Sequence, residues 1–254
     1  MARSDIDWGQ VKRILVVRLR SIGDTVLSTP SLIALRRFVP NAEIDILLED
    51  WVAPLLDGFE CVNVIAVGEG NAAKLKAANY LRSRQYDVAI NLHGGTTSSF
   101  FIRATGAKHR LGLSHYRYKR FYNHLYSSAA DFWHSHVLHS AEQQLAVLGF
   151  AGVPVGDRPK SHLAVIRAAD KKLERRLADI VPRSMHSAIA LVHPTAAFAT
   201  KQWGTANFAR TVEFLLEKGL YSVAVAAKHD ANVLNELKEE SKAPIVIFND
   251  LTLP

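Results

Sequence analysis

Asp24 closes the stretch RILVVRLRSIGD, in which a β-branched apolar run breaks at Ser21-Ile22-Gly23-Asp24. The run reads as a buried strand and the break as a strand-to-helix turn. A short carboxylate is thereby expected at the carboxyl end of the first strand. Open α/β sheets collect ligands at that edge, and a carboxylate held there can take a proton from an incoming hydroxyl. Aspartate at a helix start also caps by accepting a backbone N–H, so these residues leave Asp24 both roles. His93 falls at the tip of a later strand, beside Gly94 and Gly95, which permit close approach of a ligand. Ligand contact and a turn histidine satisfied by backbone both fit it. Lys201, near Trp203 and just after another apolar run, reads as a phosphate contact or as a solvated loop lysine. Asp230 follows a strand ending at Ala226 and suits either a ribose hydroxyl or a helix cap. His134, His136 and His139 suggest a metal cluster. Helical geometry puts only His136 and His139 on one face, and no carboxylate is suitably spaced, so no metal site is expected.

The elements that must hold these groups alternate. Apolar strands are expected at 13–19, 43–48, 63–67 and 86–92, with helical periodicity at 31–38 and 71–84 between them. Strand alternating with helix implies a parallel sheet covered on both faces. Pro30 makes the helix after Asp24 kinked or late to start. A further helix over 143–148 is expected to end at Gly149, and AGVPVGDRPK then supplies Gly and Pro punctuation. The domain boundary is placed near Lys160, giving domains 1–160 and 161–254. The pattern restarts with helix 171–180, strand 187–193, helix 205–218 with Thr205 as N-cap, strand 221–226, helix 230–240 and a strand over 245–248. The last strand lacks the crossover that normally follows it, so the second domain is expected to be cut short.

Composition narrows the class. Across 254 residues the hydrophobic fraction is 48%, ample for packed α/β cores. The amino terminus lacks the apolar segment of a secretory signal, and no run is long enough to span a bilayer, so a cytoplasmic location is expected. Cys61 is alone, which excludes an intrachain disulfide and a cysteine-rich zinc site. Lys and Arg outnumber Asp and Glu by 31 to 24, for a formal charge of +7, favouring phosphates, nucleic acid or anionic lipid. Basic residues crowd over 103–120, where Arg117, Lys119 and Arg120 interleave with Tyr116, Tyr118 and Phe121. That alternation suits an anionic saccharide or lipid headgroup as well as nucleic acid, but no nucleic-acid fold signature accompanies it. G-x-G-x-x-G is absent around Gly23, so a dehydrogenase reading is weak.

Ile22-Gly23-Asp24, followed by Thr29-Pro30-Ser31-Leu32-Ile33-Ala34-Leu35-Arg36-Arg37, resembles the opening of the ADP-heptose lipopolysaccharide heptosyltransferases of glycosyltransferase family 9. Val192-His193-Pro194-Thr195 with Lys201-Gln202-Trp203 resembles the start of that family's second half. Asn91-Leu92-His93-Gly94-Gly95 is similar to its D-L-x-G loop, with Asn in place of Asp. The resemblance implies the GT-B architecture, two Rossmann-like domains, with acceptor held by the first and nucleotide sugar by the second. It implies inverting, metal-independent transfer of heptose from ADP-heptose to the lipopolysaccharide inner core, with no cofactor beyond the nucleotide-sugar substrate. Asp24 then looks like the general base. Gly23, Thr195, Lys201 and Asp230 look like donor contacts, and His93, Arg117, Lys119 and Arg120 like acceptor contacts. Thr195 stands where the family commonly has Gly. The family's D-[ST]-G-x-x-H segment would fall beyond Pro254, so an incomplete donor site is expected. The implied partners are a nucleotide sugar, a lipopolysaccharide core acceptor and the anionic inner face of the cytoplasmic membrane. The other class that fits is a non-catalytic module binding anionic glycolipid.

Overall fold

The computed structural model describes residues 5–182 and 188–253. The chain divides into two units, Met1–Ala164 and Val165–Pro254.

The first unit is built on β1 (Arg13–Leu19), β2 (Glu43–Glu49), β3 (Asn63–Val67), β4 (Val88–Asn91), β5 (His109–Leu113) and β6 (His124–Tyr126). All pair in parallel, in the order β3-β2-β1-β4-β5-β6. The helices are α1 (Ile22–Val26), α2 (Thr29–Phe38), α3 (Gly70–Ser83), α4 (Thr96–Thr105), α5 (Ala129–Trp133) and α6 (Ser140–Phe150). Alternation along β1 explains the layering, because successive side chains of a strand point to opposite faces. Ile14 and Val16 join Leu32 and Leu35 of α2 and Leu145 and Leu148 of α6 in one core. Leu15 and Val17 join Ala78 and Leu81 of α3 and Phe101 and Ile102 of α4 in the other. Each fully buried Val, Leu or Ile contributes roughly 1.5–3 kcal/mol, so this two-sided burial fixes the register of the central strand.

The break at Pro30 resolves into two helices. α1 is a short turn after β1, and α2 begins at Thr29 with Pro30 in its first turn, where the missing N–H costs nothing. The fourth strand is shorter than expected, since Tyr86 lies outside it and gives its hydroxyl to the buried Asp45 carboxylate at 2.5 Å. Gly149 does not end its helix: α6 runs through it to Phe150. A glycine is needed there because a Cβ would stand 2.1 Å from the Phe132 ring. The expected basic-aromatic segment contains β5 and most of the turn that leads on to β6. Arg110 is tied into that turn, donating to the carbonyls of Phe121 at 2.7 Å and Ala107 at 2.5 Å.

The second unit has α7 (Arg167–Ile180), β7 (Ile189–Val192), α8 (Thr205–Glu217), β8 (Tyr221–Val225), α9 (Ala231–Glu240) and β9 (Ile245–Phe248). Its strands form a parallel sheet in the order β7-β8-β9. Val212 of α8 and Leu234 and Leu237 of α9 pack on one face. Leu177 of α7 packs on the other, beside Val223 and Phe248. Gly204, not Thr205, is the N-cap of α8. The expected start of a strand at Ser187 lies outside the described residues.

Candidate functional site

In the first sheet β1 and β4 are neighbours, and the order runs outward from them to β3 on one side and β6 on the other. That reversal opens a crevice at the carboxyl ends of the two strands. Asp24 follows β1 and His93 follows β4, so the two side chains flank it. Both line one cavity of about 400 Å³, together with Arg18, Tyr116, His136 and Gln144.

Asp24 is the third residue of α1, not its cap; Ser21 occupies the cap position and donates its hydroxyl to Asp24 Oδ2 at 3.0 Å. Arg18 Nη2 reaches the same oxygen at 2.6 Å. Oδ1 has no hydrogen bond among the described residues, and the Asp24 side chain is 45% exposed whereas that of Arg18 is 8% exposed. Arg18 therefore orients the carboxylate from beneath and leaves one oxygen toward the cavity. Burial lowers the Arg18 pKa and the Asp24 charge opposes that shift; a guanidinium stays charged near neutral pH even so.

Arg18 Nη1 also lies 2.8 Å from His93 Nδ1. A guanidinium has no acceptor lone pair, so Nη1 donates and Nδ1 accepts. The ring proton of neutral His93 is consequently on Nε2. Burial first, and then the Arg18 charge, hold His93 below the ordinary histidine range. The backbone of this turn is held by Asn91, fully buried, whose Oδ1 accepts from His93 N–H at 2.9 Å and Gly94 N–H at 3.0 Å. Its amide donates to Tyr122 Oη at 2.6 Å and Ser98 Oγ at 3.1 Å. An aspartate would lack those donors, which explains why an amide is at home here. Gly94 has φ +77°, and a Cβ would come within 2.6 Å of the Tyr116 ring. Burial raises the Tyr116 pKa above the ordinary tyrosine range, so its phenol keeps its proton near neutral pH.

Arg117, Lys119 and Arg120 do not line this cavity. Arg120 lies over the Phe121 ring at 5.5 Å, and Phe121 shares a separate groove with Phe100 and Arg103 of α4. His134, His136 and His139 are not helical neighbours. They belong to the connection from α5 to α6, where His134 ends α5 and His139 caps α6, accepting from Ala141 N–H at 3.3 Å. Among the described residues no three His, Cys, Asp or Glu side chains stand close enough to hold a metal ion.

In the second unit Thr195 and Lys201 follow β7 and Asp230 follows β8. His193 Nδ1 meets the Val225 carbonyl at 2.8 Å; a carbonyl only accepts, so Nδ1 donates and Nε2 faces Thr195 Oγ1 at 3.5 Å. Gln202 folds the loop, accepting from Ala196 N–H at 2.8 Å and donating to the Pro194 carbonyl. Lys201 is exposed, its ammonium 5.6 Å from the Phe198 ring centre, with no carboxylate partner among the described residues. Asp230 occupies the N-cap position of α9 yet makes no capping bond with its side chain. Its carboxylate lies 3.5 Å from His229 Nε2. A wider hollow of about 620 Å³ opens at the opposite, amino ends of β8 and β9, beside Tyr221 and Ile245.

Arg18 and Gln144 were not among the expected site residues. A charged residue inside the apolar run of β1 was the available signal for Arg18, since buried charge requires partners. Gln144 sits on a buried helix face and donates to the Asp24 carbonyl at 3.4 Å; nothing in its sequence context marks it.

Comparison with known proteins gives one consistent result. Residues 74–250 match the profile of glycosyltransferase family 9 (heptosyltransferase). Lipopolysaccharide heptosyltransferase 3 of Escherichia coli is 24% identical over 240 residues, which cover 90% of this chain and 68% of that protein. The crystal structure of a family 9 glycosyl transferase from Veillonella parvula superposes with a TM-score of 0.78 at 20% identity, covering 93% of this chain and 68% of the other. ADP-heptose lipopolysaccharide heptosyltransferase II of Escherichia coli gives a TM-score of 0.71 at 21% identity, with 95% and 73% covered. The chain thus spans about two thirds of the length of the curated relatives it matches.

Proposed function

The chain belongs to glycosyltransferase family 9, and from that premise we propose that it transfers heptose from ADP-heptose to a sugar of the lipopolysaccharide inner core, inverting the anomeric carbon without a metal. The observation that carries this reading is Asp24 Oδ1, turned toward a cavity at the switch point while Oδ2 is held by Arg18 and Ser21. In the proposed reaction an acceptor hydroxyl gives its proton to Oδ1 as its oxygen bonds to the anomeric carbon. The bond from that carbon to the donor phosphate breaks, and ADP leaves with the electron pair. A base on the acceptor side enforces inversion, and fixed donors stabilise the departing diphosphate.

His93 Nε2–H is assigned to an acceptor oxygen. Lys201 supplies a cation for the diphosphate, with Thr195 Oγ1 a further donor, and Asp230 is assigned to the ribose hydroxyls. Gly23 is exposed, and a Cβ on it would meet nothing within 4 Å, which leaves room for a substrate beside Asp24. Among the described residues no helix is long and apolar enough to cross a membrane.

The test is transfer itself. ADP-heptose and a Kdo-terminated acceptor should yield ADP and a product of inverted anomeric configuration by NMR, at a rate unchanged by EDTA. Retained configuration would overturn the role of Asp24, and loss of turnover on chelation would overturn metal independence. Acceptor binding with no release of ADP would favour a binding module.

A further inference from the structure

Helices α3 and α4 cover one face of the first sheet, and their outward sides combine two properties rarely joined on a solvated surface. Leu75, Asn79 and Arg82 of α3 and Phe100 and Arg103 of α4 line, with Phe121, an open groove of about 420 Å³. Leu75 is 60% exposed, Phe100 40% and the adjoining Tyr118 45%. The groove is therefore apolar and turned to solvent.

Its rim has one sign of charge. Neither α3, nor α4, nor the loop 115–121 contains an Asp or Glu. The helices carry Lys74, Lys76, Arg82 and Arg103, and the loop adds Arg117, Lys119 and Arg120. None of these cations forms an ion pair among the described residues. Exposed apolar side chains ringed by unneutralised cations match a surface that is anionic outside and hydrocarbon beneath. A nucleic acid would satisfy the cations and leave the exposed Leu75 and Phe100 with no apolar partner.

We propose that the α3/α4 face docks on an anionic lipid bilayer, with Leu75 and Phe100 at the acyl boundary and the surrounding Arg and Lys side chains at headgroup phosphates. The inference deepens the proposed function, in which the acceptor is lipid-borne, but docking is measured without any transfer, so either can fail alone.

The test is cosedimentation of the full chain with vesicles of phosphatidylglycerol and phosphatidylethanolamine against vesicles of phosphatidylcholine. Binding should be confined to the anionic vesicles and weaken with salt. Each Lys or Arg near such a surface is worth about fivefold in affinity, so R82Q/R103Q should weaken binding about 25-fold. L75S/F100S should weaken it while keeping the wild-type circular dichroism spectrum, because both positions are exposed. F100W should show a blue-shifted emission on anionic vesicles only. Binding indifferent to lipid charge, wild-type binding by both double variants, an unshifted F100W, or displacement of the vesicles by duplex DNA at equal salt would each overturn the proposal.

Discussion

Arg18 Nη1 donates to Nδ1 of His93 across 2.8 Å, joining a side chain of the central strand to the loop after its neighbour. The bond selects one tautomer. Nitrogen-15 spectra of the native chain should show the His93 proton on Nε2, and Arg18→Met should give a mixture of both tautomers. A pure Nε2–H signal in that variant would mean that another group sets the ring.

Asp24→Asn should leave ADP affinity near the wild-type value while kcat falls by about two to four orders of magnitude, the usual scale for losing a general base. Calorimetry with ADP and single-turnover transfer separate the two effects. Near-normal turnover would reduce Asp24 to a support for Arg18.

Lys201→Ala should weaken ADP binding by about 1.5–3 kcal/mol, the range of a charge-assisted hydrogen bond. The side chain is exposed and packs on no core, so the melting temperature should not move. Equal ADP affinity in the two proteins would remove Lys201 from the site.

The pH dependence of stability has a definite sign. Burial lowers the pKa of His93, and also those of His109 and His124, which lie 2.9 Å apart between Nδ1 and Nε2. Each binds a proton more readily unfolded than folded, so its stabilising effect is complete above about pH 6.5, the unperturbed histidine value. It is lost progressively as pH falls from there through the lowered folded values. Urea midpoints should drop between pH 7.5 and pH 5.5, and H109N/H124N should flatten that drop. A midpoint rising over the interval would contradict the burial of these rings.

Gly149→Ala sets two effects against each other. Helix propensity alone favours Ala over Gly by about 1 kcal/mol, but the new Cβ would meet the Phe132 ring at 2.1 Å. Overpacking of this kind costs about 1–3 kcal/mol, so net destabilisation is expected, read as a lower denaturant midpoint with unchanged slope.

What was legible in the chain follows from range. The β1 run and the turn at Asp24 were readable because strand, break and carboxylate are contiguous. β3 and β9 were equally clear, being short apolar runs bounded by polar residues. β5 and β6 were not, since HRLGL and HLY carry cations and histidines that mask a strand pattern of so few residues. The charge clustering of 103–120 was visible, but its division was not: Arg110 turns inward to carbonyls while Arg120 lies out over Phe121. Gly149 read as a stop because helices often end at glycine, whereas its reason is the Phe132 ring, distant in sequence. The Arg18, Asp24 and His93 assembly depends on β1 and β4 lying side by side, a fact of strand order that no local pattern contains.

The short β6 has a consequence for how molecules meet at high concentration. An open sheet edge is a template on which another chain can extend the ladder, and its hazard grows with the length of regular backbone on offer. Here that edge is only His124–Tyr126. Asn123, just before it, is already occupied, accepting from Arg110 N–H at 2.7 Å and donating to the Lys108 carbonyl at 2.7 Å. A neighbouring chain finds few rungs there, on a strand whose start is anchored inward to β5. The geometry that closes the first sheet thereby discourages fibre-like self-association along that margin.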